Sequence, residues 1–79
     1  MRDKDEEIRN TIRCNLIALR NEKGLTQTEV GNIVGKGKNT VGSWEQGLSL
    51  PDVQTLYYLA KFYGKSLSYM YGEDNEKEE

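Results

Sequence analysis

Histidine is absent from this chain of 79 residues, and Cys14 is its only cysteine. The first absence removes the commonest metal ligand and acid–base catalyst, and the second excludes an intrachain disulfide. A zinc site and a hydrolytic triad are therefore not expected; a cofactor and enzymatic activity are not required by the function expected below. No apolar run approaches the roughly 18 residues of a membrane span. The acidic, polar N-terminus lacks the basic-then-apolar order of a secretory signal. A cytoplasmic protein with no membrane partner is the expectation. Strand alternation with hairpin turns is missing too, so an all-α fold is expected. The length allows one small domain and no second core.

The charge that is present is unevenly spread. Residues 1–7 set Arg2 and Lys4 against Asp3, Asp5, Glu6 and Glu7, a net −2, and residues 73–79 set Lys77 against Glu73, Asp74, Glu76, Glu78 and Glu79, a net −4. Between them Arg9, Arg13, Arg20, Lys23, Lys36, Lys38, Lys61 and Lys65 outnumber Glu22, Glu29, Glu45 and Asp52, a net +4. A basic body with acidic ends is compatible with a polyanionic partner despite the overall −2. The division expected is a charged N-terminal arm or helix extension over 1–7, a domain over 8–72 and an acidic flexible tail over 73–79.

Apolar spacing and glycine stops predict five helices. Ile8, Ile12, Leu16 and Leu19 line one face of a first helix over about 5–23, closed by Gly24. Thr26 and Glu29 form a capping box that starts a second helix at Gln27, and Val30, Ile33 and Val34 carry it to Gly35. A third runs over about 38–46, with Val41 and Trp44 inward and Gly47 as its stop; its N-cap, Gly37, offers no side-chain acceptor. Pro51 and Asp52 announce a fourth, in which Val53, Leu56, Tyr57, Leu59, Ala60 and Tyr63 are inward up to Gly64. Ser66 caps a last helix over 67–71, before Gly72.

The order of residues from Gln27 to Gln46 resembles, without a gap, the helix-turn-helix of the Cro and lambda-repressor type, also called the XRE family. Gln27 opens the unit, Val30, Val34, Val41 and Trp44 take its apolar positions, Gly31 is the small residue at the helix crossing, and Gly35 is the turn glycine. The likeness extends over about 12–72, through Leu16, Leu19, Arg20, Gly24, Leu25 and Thr26 to Glu45 and Gly47. It continues in Leu56, Leu59, Ala60, Gly64, Ser66, Leu67 and Met70. The resemblance implies a compact five-helix DNA-binding domain whose second and third helices form the helix-turn-helix. Three positions depart from the family pattern: Lys36 and Lys65 replace apolar residues, and Gly37 replaces a capping Ser or Thr. Gly42 lies within the third helix at a cost of roughly 1 kcal/mol relative to alanine. It also removes one base-reading side chain, and these departures together predict a recognition helix that settles only against DNA.

The third helix is the element expected in the major groove. Lys38, Asn39, Thr40 and Ser43 are its candidate base contacts, Asn39 being suited to pair bidentately with adenine. Taken without the surrounding unit, Asn39, Thr40 and Ser43 are better read as ordinary solvent-facing polar residues. Gln27, at a helix N-terminus, and Lys36, in the turn, are candidate phosphate contacts, with Asn15, Arg13 and Lys23 as weaker ones. A plain helix-start residue and a solubilising lysine are the alternatives. The resemblance implies a structural ion pair between Arg20 and Glu45. Tyr58, Phe62, Tyr69 and Tyr71 are candidates for a homodimer interface, the alternative being that they complete the core. Cys14 faces away from the core stripe, an inert thiol rather than a redox switch.

The function expected is a sequence-specific transcriptional regulator, a prophage-type or small bacterial repressor reading a palindromic operator in double-stranded DNA as a dimer. Two alternatives stay open. One is the antitoxin of a toxin–antitoxin pair, with a protein partner held through the acidic tail. The other is an interaction module that keeps the fold without binding DNA.

Overall fold

The computed structural model describes residues 4–73. Residues 1–3 of the expected arm and 74–79 of the expected tail lie outside the described residues. Five helices follow in order: α1 (Lys4–Glu22), α2 (Gln27–Val34), α3 (Lys38–Gln46), α4 (Val53–Phe62) and α5 (Leu67–Met70). No strand occurs among the described residues.

Local chemistry sets most of the helix ends. The Thr26 hydroxyl accepts from the Glu29 N–H at 3.1 Å, and the Glu29 carboxylate accepts from the Thr26 N–H at 2.8 Å, a complete capping box at the start of α2. Asp52 and Ser66 cap α4 and α5 by accepting from the N–H groups of Thr55 and Tyr69. Gly37, at the start of α3, makes no side-chain bond. Gly35 and Gly47 stop α2 and α3 at φ 72° and 82°, a left-handed conformation that costs any other residue more.

One core joins all five helices. Ile12, Leu16 and Leu19 of α1 meet Val30 of α2, Val41 and Trp44 of α3, Leu56, Leu59 and Ala60 of α4, Tyr63 beyond it and Met70 of α5. Fully burying each of the larger side chains contributes roughly 1.5–3 kcal/mol. A polar bond closes the ring: Nδ2 of Asn15 donates to the carbonyl oxygens of Tyr69 and Met70, each at 3.2 Å. That satisfies acceptors at the end of α5 and ties α5 to α1. Thr11 packs against Gly72 at the same junction.

Three expected core residues are exposed instead. Ile8 is 40% exposed, because it falls within the stretch from Asp5 to Asn10 that stays exposed before α1 reaches the body at Thr11. Val53 and Tyr57 are 57% and 51% exposed. The inward face of α4 is the narrower stripe of Leu56, Leu59 and Ala60, and the two flank it. The last helix ends at Met70, with Tyr71 as its C-cap.

Candidate nucleic-acid interface

The α2–α3 turn is held by a close backbone approach. Lys36 donates its N–H to the Gly31 carbonyl at 2.8 Å, and a Cβ built on Gly31 would overlap the Lys36 carbonyl oxygen. The small residue is therefore demanded by the backbone of the turn at Lys36 and Gly37, where the sequence suggested the crossing of the two helices. Gly37 itself has open space around the position of a Cβ.

On α3 the side chains divide cleanly. Val41, Gly42, Trp44 and Glu45 are buried; Lys38, Asn39, Thr40 and Gln46 are exposed, and Ser43 is half-buried. At 100° per residue, Asn39, Ser43 and Gln46 climb one side of the helix, with Thr40 beside them. Gln46 was missed in the sequence, although its place three residues beyond Ser43 on that side was readable from helical spacing. Gly42 needs a correction in the other direction. Its missing side chain would point inward at the Gln27 amide, with the nearest atom 3.6 Å from the Cβ position. No base-reading group is lost there.

The inner side of α3 is fixed by a polar cluster. Nε and Nη2 of Arg20 donate to the two carboxylate oxygens of Glu45 at 2.7 and 3.0 Å, and Nη1 donates to the Leu25 carbonyl at 2.8 Å. Bonding to Glu45 raises the pKa of the guanidinium against a smaller opposing effect of burial, so the charge is secure. Glu45 is only 9% exposed and also accepts from Nε2 of Gln27 at 3.0 Å. One carboxylate thus receives three donors from two other helices, joining the end of α3 to the end of α1 and the start of α2. Neighbouring Tyr63 has its phenol pushed up by burial first and by Glu45 second, with Arg20 opposing.

The remaining candidates fall in different places. Lys36 is exposed in the turn, beside the exposed Lys38 at the start of α3, whose first turn carries no acidic residue. Gln27 is half-buried and committed by one amide hydrogen to Glu45, an interaction the sequence did not reveal. Asn15 is occupied by the α5 carbonyls and drops out as a phosphate contact. Arg13 lies against Gly47 at the end of α3, and Nζ of Lys23 sits 5.5 Å from the centre of the Phe62 ring. Tyr58 and Phe62 are exposed, at 54% and 37%, whereas Tyr69 and Tyr71 are half-buried and pack against the core. Cys14 is exposed and free. Among the described residues no three His, Cys, Asp or Glu side chains gather as a metal site. No helix there is long and apolar enough to cross a membrane.

A short helix with a polar outward side, braced from within and presented by a tight turn, defines a DNA-binding helix-turn-helix. Comparison with known proteins agrees. The model of the helix-turn-helix family matches residues 16–70, so the chain belongs to the helix-turn-helix family of DNA-binding regulators. It is 50% identical over 46 residues to the cryptic phage CTXphi transcriptional repressor RstR of Vibrio cholerae, covering 58% of this chain and 41% of that protein. It is 42% identical over 60 residues to the uncharacterized HTH-type transcriptional regulator y4dJ of Sinorhizobium fredii (strain NBRC 101917 / NGR234), covering 76% of this chain and 78% of that one. The match thus spans about two fifths of the first relative's length and most of the second's. No solved structure matches the chain.

Proposed function

We propose that this protein is a sequence-specific transcriptional regulator, a repressor of the phage or small bacterial kind, that binds a palindromic operator as a homodimer and reads it with α3. The observation that carries this reading is the row of Asn39, Ser43 and Gln46 along one open side of α3, with Lys36 and Lys38 at its leading end. Asn39 pairs with an adenine edge, Ser43 and Thr40 bond or touch neighbouring bases, and Lys38 takes a guanine or a phosphate. Lys36 holds a phosphate. So does Gln27, through its backbone N–H at the positive end of α2 and the amide hydrogen that Glu45 leaves free. The likeness to a phage repressor supports repression as the sign of control.

One such domain buries a modest DNA surface, so specificity is expected from two copies on a two-fold site. Selection of bound sites from random duplex DNA tests the reading. A palindrome with half-sites about one helical turn apart, roughly 34 Å, is the expected result. Affinity for it should fall with salt at a log–log slope of about −0.9 per neutralised phosphate. Failure to retain any duplex at low salt would leave a protein-interaction module as the better reading.

A further inference from the structure

The α4 side of the molecule carries a second unexplained surface. Six of the seven aromatic residues fall between Tyr57 and Tyr71, and from Val53 to Gly72 the only charged residues are Lys61 and Lys65. Tyr57, Tyr58 and Phe62 are exposed on α4. Nζ of Lys61 lies 5.7 Å from the centre of the Tyr57 ring, and Nζ of Lys65 lies 4.6 Å from that of Tyr69. Beside them, Ile33 and Val34 of α2 and Gln54, Thr55 and Tyr58 of α4 line an open groove. Of the carboxylates on the flanking segments, Asp52 caps α4 and Glu29 of α2 bonds the Thr26 N–H, while Glu73 follows Gly72 at the edge of the face. Aromatic rings exposed beside lysines are a surface for an apolar partner that brings negative charge.

This face does not suit a copy of itself. Laid symmetrically against its own copy, it brings Lys61 and Lys65 toward their own counterparts. The complementary surface lies elsewhere on the same chain. The six residues Asp5 to Asn10 are all exposed, a helical overhang of about 9 Å before α1 meets the body at Thr11. It opens with Asp5, Glu6 and Glu7 and then presents Ile8, 40% exposed, before Arg9, the one cation among the six. Acidic groups followed by an unburied apolar residue are what the α4 face lacks.

We propose that two copies of this chain associate by placing the α1 overhang of one on the α4 face of the other. Asp5 and Glu7 meet Lys61 and Lys65, and Ile8 enters the groove beside Tyr58. None of these residues belongs to α3, so the contact forms without DNA and leaves the reading side open. It also lets each copy give and receive, which suits a two-fold pair.

Sedimentation equilibrium of the free protein at low salt tests this apart from any operator. The protein should associate, and added salt should weaken the association. Lys61→Glu with Lys65→Glu should weaken it at least tenfold, as should Asp5→Lys with Glu7→Lys. Mixing the two variants should restore association as a one-to-one heterodimer, because each overhang then meets a face of opposite charge. Restoration also shows that both variants are folded. The proposal is overturned if the parent protein stays monomeric, which would leave the face to a foreign acidic protein. It is overturned equally if either double variant associates like the parent, as symmetric α4 pairing would allow for the Asp5 and Glu7 variant, or if the mixture stays monomeric while both variants keep their helical spectrum.

Discussion

Helices α2 and α3 are neighbours of nearly equal length, yet they are held in different ways. Helix α2 carries its own instructions: a complete capping box at one end and a left-handed glycine at the other. Helix α3 shares the glycine stop but begins at Gly37 with no side-chain cap and contains Gly42. Its order comes from outside, through buried Val41 and Trp44 and through Glu45, which receives Arg20 and Gln27. Neither helix is long enough to persist alone, but only α3 is poor in local signals as well. An element whose outward side must stay free for a partner is specified from its inner side.

That contrast can be broken by substitution, and the largest expected effect is at Arg20. Arg20→Ala strips two of the three donors from a buried carboxylate and should cost about 3 kcal/mol, near the lower end for a broken buried ion pair. Denaturant midpoints measure the loss, and a change within 0.5 kcal/mol would show that α3 does not depend on the brace. Gly31→Ala comes next. Its methyl must displace the turn backbone at Lys36, an overpacking expected to cost about 1–3 kcal/mol.

Two smaller changes of opposite sign compare the helices directly. Thr26→Ala removes the cap of α2 and should cost about 1 kcal/mol. Gly42→Ala should stabilise α3 by about 1 kcal/mol, since the position of its Cβ has only ordinary contacts, 3.6 Å or more, with the Gln27 side chain. If Gly42→Ala destabilises the protein, the Gln27 amide needs that space.

The mildest expected effects are in pH. The Thr55 N–H lowers the Asp52 carboxyl, with Lys36 adding to it, so this stabilisation is full above the ordinary carboxylate value and is lost as pH falls through the folded one. Tyr63 behaves in the opposite sense. Burial raises its phenol, so the stabilisation is full below its ordinary value near 10 and is lost as pH rises through the folded value. Asp52→Asn should flatten the acid limb of a stability–pH curve, and Tyr63→Phe the alkaline limb. A curve unchanged at either end would remove the corresponding group from the account.

The same contrast explains what was legible in the sequence. The limits of α2 and α3 were readable because the Thr26–Glu29 box and the glycines at 35 and 47 act on their nearest neighbours. Ile8, Val53 and Tyr57 were misplaced because periodicity finds a helical face without showing how far the opposing helix extends or how wide the covered stripe is. Asn15 on the α5 carbonyls spans more than fifty positions, and Gln27 on Glu45 spans eighteen. No local spacing reports bonds of that reach. The outward side of α3 was readable except for Gln46, which the same helical geometry places with Asn39 and Ser43.

Sequence-specific regulation requires that the outward side of α3 discriminate bases. Site selection from random duplex DNA with the parent protein and with Asn39→Ala measures this most directly. The prediction is that the variant keeps the overall site but loses preference at one base pair of each half-site, at a cost of about 1–3 kcal/mol. An identical consensus for both proteins would contradict it.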